Sequence, residues 1–279
     1  MKESISVIGR VLLVLALAWQ SCGPEGSEEN SLTTFADTVS PPVVEFDTTI
    51  QASKTAQVDT FRNIAFATYR LRAEQEDIRI WNSKGDSGVH TFISLDQIAD
   101  TSGKEMAFAM NAGMFTQERG SLGLLVTEGE EKAPLIKKSQ GYGNFYIQPN
   151  GVFALDTAGK AYVVTTPEYD SLAKATSIAY ATQSGPMMLI ADTINGKFTD
   201  GSQNLHIRNA VGITHDSTTI FAISLQKTSF FDFSLFLQTM GCHHALYLDG
   251  FISKMYLPAL NIGTLEAGSS LGPIITVFE

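Results

Sequence analysis

From Phe61 onward the sequence is cut into short apolar, β-rich runs, each closed by a polar loop carrying Gly, Pro, Asn or Asp. Runs this short are too brief for most helices, and the turn residues between them favour strands that fold back on their neighbours. The pattern commits the chain to a single α+β domain: a mixed, mostly antiparallel sheet with a few packed helices. Phe61 to Leu71 and Ile78 to Trp81 read as a first pair of strands, and Met106 to Met110 as a buried one. Leu122 to Thr127 with Pro134 to Lys137 reads as a hairpin across Glu128 to Lys132. Asn144 to Gln148 with Val152 to Leu155 reads as another across Pro149, Asn150 and Gly151. Asn209 to Thr214 and Thr219 to Leu225 flank the turn His215-Asp216-Ser217, and Ala245 to Leu248 is a buried strand running into Asp249. Helical character is confined to Ser94 to Ala99, where Ser94 and Gln97 have capping-box spacing, to Pro167 to Ala175, and to Phe233 to Met240, which stops at Gly241.

The N-terminal part breaks this pattern. Lys2 and Arg10 precede the apolar run Val11 to Trp19, followed by Gln20, Ser21 and Cys22. The run is too short to span a bilayer, so residues 1–21 read as a signal peptide and Cys22 as the cysteine that receives a lipid. Residues 22–55 are rich in Ser, Thr, Glu and Pro without an apolar period and read as a disordered tether, leaving 56–279 as the globular domain. The expected location is the cell envelope, with the exported chain anchored to a membrane. With Cys22 in the anchor, Cys242 has no partner for an intrachain disulfide, so packing must carry the fold. The 279 residues are 44% hydrophobic, enough for one sizeable core. The formal charge is -10 and no basic stretch with interleaved aromatics offsets it, which argues against nucleic acid as a partner. Any anionic ligand must then be held by a few local cations.

Four segments place a glycine-bearing or polar loop against an apolar strand: Asn111-Ala112-Gly113-Met114-Phe115, Gln183-Ser184-Gly185-Pro186, Arg208-Asn209-Ala210 and Asp249-Gly250. A rigid strand beside a loop with free backbone N–H groups suits a binding site. There is no P-loop, no GxGxxG after a strand, and the Ser-Gly-Pro stretch lacks the glycines of a nucleophile elbow, so nucleotide binding and serine hydrolysis rank low. Cys242, His243 and His244 are adjacent, a poor arrangement for one ion, and no second Cys/His pair sits at zinc spacing. No metal site is assigned on that basis, and Cys242 reads as a small buried residue in a helix-to-strand connection.

Taken in order, the four segments resemble the phosphodiester glycosidase family over about Phe61 to Phe278. Asn111, Ala112, Gly113 and Phe115 match its Asn-Gly-Gly-Phe-like strand end, Ser184 to Pro186 its Ser-Gly-Pro, and Arg208 to Gly212 its Arg-Thr-Ala-Ile-Gly-like segment. Where the family has Leu-Asp-Gly-Gly-Gly-Ser-Ser, this chain reads Leu248-Asp249-Gly250-Phe251-Ile252-Ser253-Lys254, keeping the Asp, one Gly and a Ser. The resemblance implies a glycoside hydrolase that cleaves a glycosyl-1-phosphodiester or a related envelope glycan. Such a reaction expels a phosphate monoester, a good leaving group, so the site must chiefly stabilise positive charge at C1 and hold the phosphate.

Asp249 then becomes the carboxylate facing C1, as nucleophile, base or electrostatic partner, and Arg208 the planar fork for phosphate oxygens. His206 and Lys254 assist, with His206 on the same face as Arg208 if Leu205 to Arg208 is extended. Asn111, Asn144 and Gln183 are the expected sugar-hydroxyl ligands, although buried amides that only fix loops would look the same. Gly113, Ser184, Gly250 and Ser253 shape the pocket. No cofactor is required, and calcium on Asp249 and loop carbonyls stays compatible with this set. The rival is a non-catalytic glycan-binding or envelope-assembly lipoprotein, favoured by the altered Phe251 to Lys254 loop.

Overall fold

The computed structural model describes residues 54–279 apart from 83, 86, 87, 119, 139, 250, 251, 269 and 270. The expected signal peptide, Cys22 and nearly all of the tether lie outside the described residues, as does Gly250. The largest sheet has seven strands in the order β1 (Lys54–Phe61), β2 (Ile64–Arg72), β15 (Thr218–Ser224), β14 (Asn209–Thr214), β16 (Cys242–Tyr247), β12 (Met187–Ile190) and β13 (Thr193–Ile194). A second sheet orders β10 (Ala161–Thr165), β9 (Gly151–Asp156), β11 (Ile178–Ser184), β7 (Leu125–Thr127) and β8 (Glu130–Ala133). A third orders β17 (Met255–Tyr256), β6 (Met106–Asn111), β18 (Ile274–Phe278) and β3 (Asp77–Trp81), and β4 (Lys84–Gly85) pairs with β5 (Gly88–Val89). The strand pairings among the described residues are antiparallel, and three α-helices, α1 (Phe92–Thr101), α2 (Thr166–Ala175) and α3 (Phe230–Thr239), complete the α+β domain.

Alternation along the strands decides what each face covers. In β9 all six residues are buried: Phe153 and Leu155 enter the central core with Tyr69, Phe108 and Phe221, while Val152 and Ala154 face Tyr169 of α2. In β3 only Ile78 and Ile80 are buried, as expected of a strand with one wet face. Helix α3 is capped by Ser229, whose side chain accepts from the Asp232 N–H at 3.0 Å. Its Phe230, Phe233, Phe236 and Leu237 fall on one face, and Phe236 stacks on Phe66 of β2 with centroids 4.1 Å apart. Burying each such ring contributes roughly 2–3 kcal/mol, which fixes α3 against β16 and β12.

Several expected elements move. The partner of β7 is Glu130–Ala133, which begins inside the Glu128 to Lys132 stretch read as a turn, because Glu128 and Gly129 (φ 52° and 80°) make a two-residue type I′ reversal. Asn144–Tyr146 is a single 3-10 turn closed by Tyr146 N–H to Gly143 O and Ile147 N–H to Asn144 O, so it is not a hairpin strand. Val152 to Leu155 pairs instead with Ala161 to Val164. That turn is organised by Asp156, whose Oδ1 accepts from the N–H groups of Ala158 and Lys160 at 2.9 Å each. Helix α1 starts two residues before Ser94, with Thr91 as the cap and Ser94 completing the box. Cys242 is the first residue of β16 rather than part of a connection.

Candidate active site

The start of β14 lies beside the end of β16, with Ala210 opposite Tyr247. Asn209 ties that corner together. Its Nδ2 donates to Asn111 O at 3.0 Å and lies 3.2 Å from Asn111 Oδ1, while its Oδ1 accepts from the Asp249 N–H at 3.1 Å. Asn111 Oδ1 accepts from the Lys254 N–H at 2.7 Å, and Ser253 Oγ lies 2.8 Å from Asp249 O and 3.2 Å from Asn209 Oδ1. Ser184, at the end of β11, donates to Leu248 O. Four segments far apart in sequence thus meet through buried groups that both donate and accept, a network that tolerates little displacement. Asn111 is 1% exposed, and its Nδ2 has no acceptor among the described residues. An unmade bond of this kind costs about 1–3 kcal/mol.

Arg208 is fully buried. Its Nε donates to Thr228 O at 2.9 Å, Nη1 to Tyr247 Oη at 3.2 Å and Nη2 to Asn204 O at 2.9 Å, and the guanidinium lies 3.7 Å from the centre of the Phe230 ring. No carboxylate bonds it among the described residues, so backbone carbonyls, the phenol and the aromatic face carry the charge. Burial pulls its pKa below the usual guanidinium value, opposed by Tyr247, and burial pushes the Tyr247 phenol up to about 12, with Arg208 opposing and Asp249 reinforcing. The expectation of a direct phosphate fork does not match this packing, because the guanidinium has no exposed surface and is already committed to protein acceptors. Nor do His206 and Arg208 share a face: His206 is exposed while Arg208 points inward.

A cavity of about 600 Å³ opens beside the network, lined by His206, Ile207, Lys227, Ser253, Lys254 and Met255 among others. His206, Lys227 and Lys254 are exposed, and no carboxylate occurs among the described residues that line the cavity. Its size falls within the ordinary range for small-molecule sites. Asp249, 5% exposed, lies one contact behind the cavity wall through Ser253.

The remaining expected residues divide. Gln183 is fully buried and its amide is filled: Oε1 accepts from the N–H groups of Leu124 and Ile136, and Nε2 donates to Ile136 O and Thr166 Oγ1. A sugar could reach it only by displacing those bonds. Gly113 allows a close approach, since a Cβ there would meet Gln183 O and come within 2.6 Å of Thr182 Oγ1. Asn144 is half-buried in the turn next to Phe145, whose carbonyl packs on Gly185, and no contact joins it to the Asn209 network. Sequence reasoning passed over Asn209, Tyr247, Lys227, Asn204 and Phe230. Asn209 carried a signal, because it stands where the family pattern has Thr and so replaces a hydroxyl with an amide able to bridge two segments.

The strand ends that carry the four sequence segments thus meet in one α+β domain beside a cavity lined by Lys227 and Lys254. The particular family follows from comparison: residues 104–269 match the phosphodiester glycosidase family, and the chain belongs to it. The Escherichia coli (strain K12) protein YigE, itself uncharacterised, is 32% identical over 192 residues, covering 68% of this chain and 73% of that protein. Among solved structures, the fold is similar to the catalytic domain of zebrafish N-acetylglucosamine-1-phosphodiester alpha-N-acetylglucosaminidase, auto-inhibited by its pro-peptide, with a TM-score of 0.54 and 14% identity over 81% of this chain and 82% of that one. A hypothetical protein from Synechocystis gives a TM-score of 0.55 at 13% identity, covering 81% of this chain and 61% of that one. No helix among the described residues is long and apolar enough to cross a membrane.

Proposed function

We propose that this chain is an exported envelope lipoprotein, anchored through Cys22, that hydrolyses a glycosyl-1-phosphodiester. The observation that carries the reading is the meeting of Asn111, Ser184, Asn209 and Asp249 in one buried network beside a cavity supplied with His206, Lys227 and Lys254. The three cavity side chains hold the phosphate. Asp249 supplies the carboxylate that faces the developing positive charge at C1, after a small movement of the Ser253 segment brings it to the cavity. Asn111 Nδ2 is the donor available to a sugar hydroxyl. Arg208 acts as a positioning residue, holding Tyr247 and the Asn204 and Thr228 backbone behind the site. The reaction as proposed uses no cofactor.

The test is sugar release from a panel of glycosyl-1-phosphodiesters by the purified chain, with and without chelator, beside Asp249→Asn and a Lys227→Ala/Lys254→Ala double variant. Release that Asp249→Asn abolishes, and for which the double variant raises KM, supports the reading; loss with chelator assigns calcium a part. One observation favours the binding-only rival: Asp249 does not itself line the cavity. Sugar-phosphate binding without release from any member of the panel would establish that rival instead.

A further inference from the structure

A second cluster stands at the far ends of the same strands, and it includes His243, one of the adjacent Cys242, His243 and His244 to which sequence spacing assigned no metal site. We propose that Asp192, His215 and His243 bind a divalent transition-metal cation of the zinc type, with water completing its coordination. The three residues come from separate places: the turn between β12 and β13, the turn between β14 and β15, and the second position of β16. His215 Nε2 lies 2.9 Å from Asp192 Oδ1, and His243 Nδ1 lies 3.3 Å from Asp192 Oδ2. All three ligand atoms are within 4.8 Å of one another. A tetrahedral zinc with bonds of about 2.0–2.1 Å spaces its ligand atoms about 3.4 Å apart, so only small rotations separate this arrangement from a first shell.

The donor set selects the ion. Two imidazoles and one carboxylate suit zinc, nickel or copper, whereas calcium and magnesium prefer oxygen alone. The His215 and His243 rings lie 4.3 Å apart between centroids, close enough for one ion to meet a nitrogen of each. The backbone that carries the carboxylate is held in place: Asp192 N–H donates to His243 O at 2.9 Å, and Gln238 Nε2 donates to Asp192 O at 2.7 Å. Ala191 and Asp192 both occupy the left-handed region, at φ 45° and 64°, without a glycine to relieve them. The side chains of Asp192, His215 and His243 are 54%, 68% and 29% exposed, which leaves an open approach and room for solvent ligands.

The test is independent of the glycosidase reading. The full chain, without an affinity tag and stripped with chelator, is titrated with zinc chloride by calorimetry, and cobalt(II) replaces zinc to read the ligand field by absorption. One equivalent should bind, with a tetrahedral nitrogen and oxygen spectrum. His215→Ala and His243→Ala should each weaken binding at least about tenfold, as losses in metal sites generally do, while His90→Ala leaves it unchanged. Melting curves in chelator establish that each variant is folded, and Asp192→Asn substitutes for either histidine variant that is not. Absence of stoichiometric uptake, or uptake that these variants leave intact, would overturn the proposal.

Discussion

Strands β14 and β16 carry a polar cluster at each end, and the two are built on opposite principles. At the Asn209 and Asp249 end the groups are buried and, Asn111 Nδ2 apart, bond to one another, and Arg208 keeps its charge among carbonyls and aromatic rings. At the His215 and His243 end the groups sit on two turns and at the start of β16, and all three reach solvent. Roughly 20 Å of strand separates them, taking about 3.3 Å per residue over β14. The dry end is rigid because any displacement leaves a buried donor or acceptor unmade, which costs about 1–3 kcal/mol each. The wet end can open and take up a ligand because its bonds trade readily with water.

The largest expected effect tests whether the dry end is a chemical site as well as a structural one. Asp249→Asn should lower turnover of a cleavable phosphodiester about 10³-fold, while its urea midpoint moves far less than that of the next variant. An equal loss of stability and activity would reduce Asp249 to a scaffold residue. Arg208→Ala should destabilise the chain by about 3 kcal/mol in urea, since it opens a cavity beside Phe230 and strands Tyr247 Oη. Arg208→Lys should recover less than half of this, because an ammonium cannot reproduce the planar fork.

Tyr247 gives the dry end a signature in alkali. Its folded pKa of about 12 lies above the ordinary phenol value of about 10, so between those values the folded chain keeps a proton that the unfolded chain gives up. The stabilisation is complete below pH about 10 and is lost as pH rises towards 12, a difference of the order of 2 kcal/mol. Tyr247→Phe should cost about 1 kcal/mol at neutral pH through the lost Arg208 bond and make the alkaline decline shallower. The decline will not vanish, because burial also raises Tyr169 and Cys242 to about 12. Parallel alkaline curves for the two proteins would show that the phenol is not enclosed as described.

The two ends also differ in how far sequence could disclose them. The dry end was legible because each of its parts is a contiguous signal: an apolar run meeting Asn111, Ser184, Arg208 or Asp249. Strand existence was legible on the same ground, and so was the hairpin of β14 with β15 across His215 to Ser217, while the partners of β7 and β9 were not. Register depends on which residues take positive φ, and Glu128 gives no advance sign that it will. Burial was the other hidden quantity. Arg208 and Gln183 looked like ligands because their side chains suit the chemistry, but the fold spends both on its own backbone. At the wet end, His243 beside His244 suggested nothing, since its partners Asp192 and His215 lie on other turns and only sheet pairing brings them within reach.

The smallest expected effect is the one that most sharply separates the ends. His215→Ala, measured in chelator, removes an exposed imidazole whose protein partner is the carboxylate of Asp192, itself more than half exposed. Solvent replaces such a bond almost fully, so the melting temperature should stay within about 1 °C of the parent, in contrast to the several degrees expected from the buried Arg208 variant. Sugar release should be unchanged as well, because β14 is paired from Asn209 to Ile213 with β15 and from Ala210 to Thr214 with β16, which leaves a turn substitution little leverage on Asn209. A clear fall in kcat with stability intact would break the comparison, since it would mean that the two ends form one coupled device and that strand packing transmits the state of the His215 turn to Asp249.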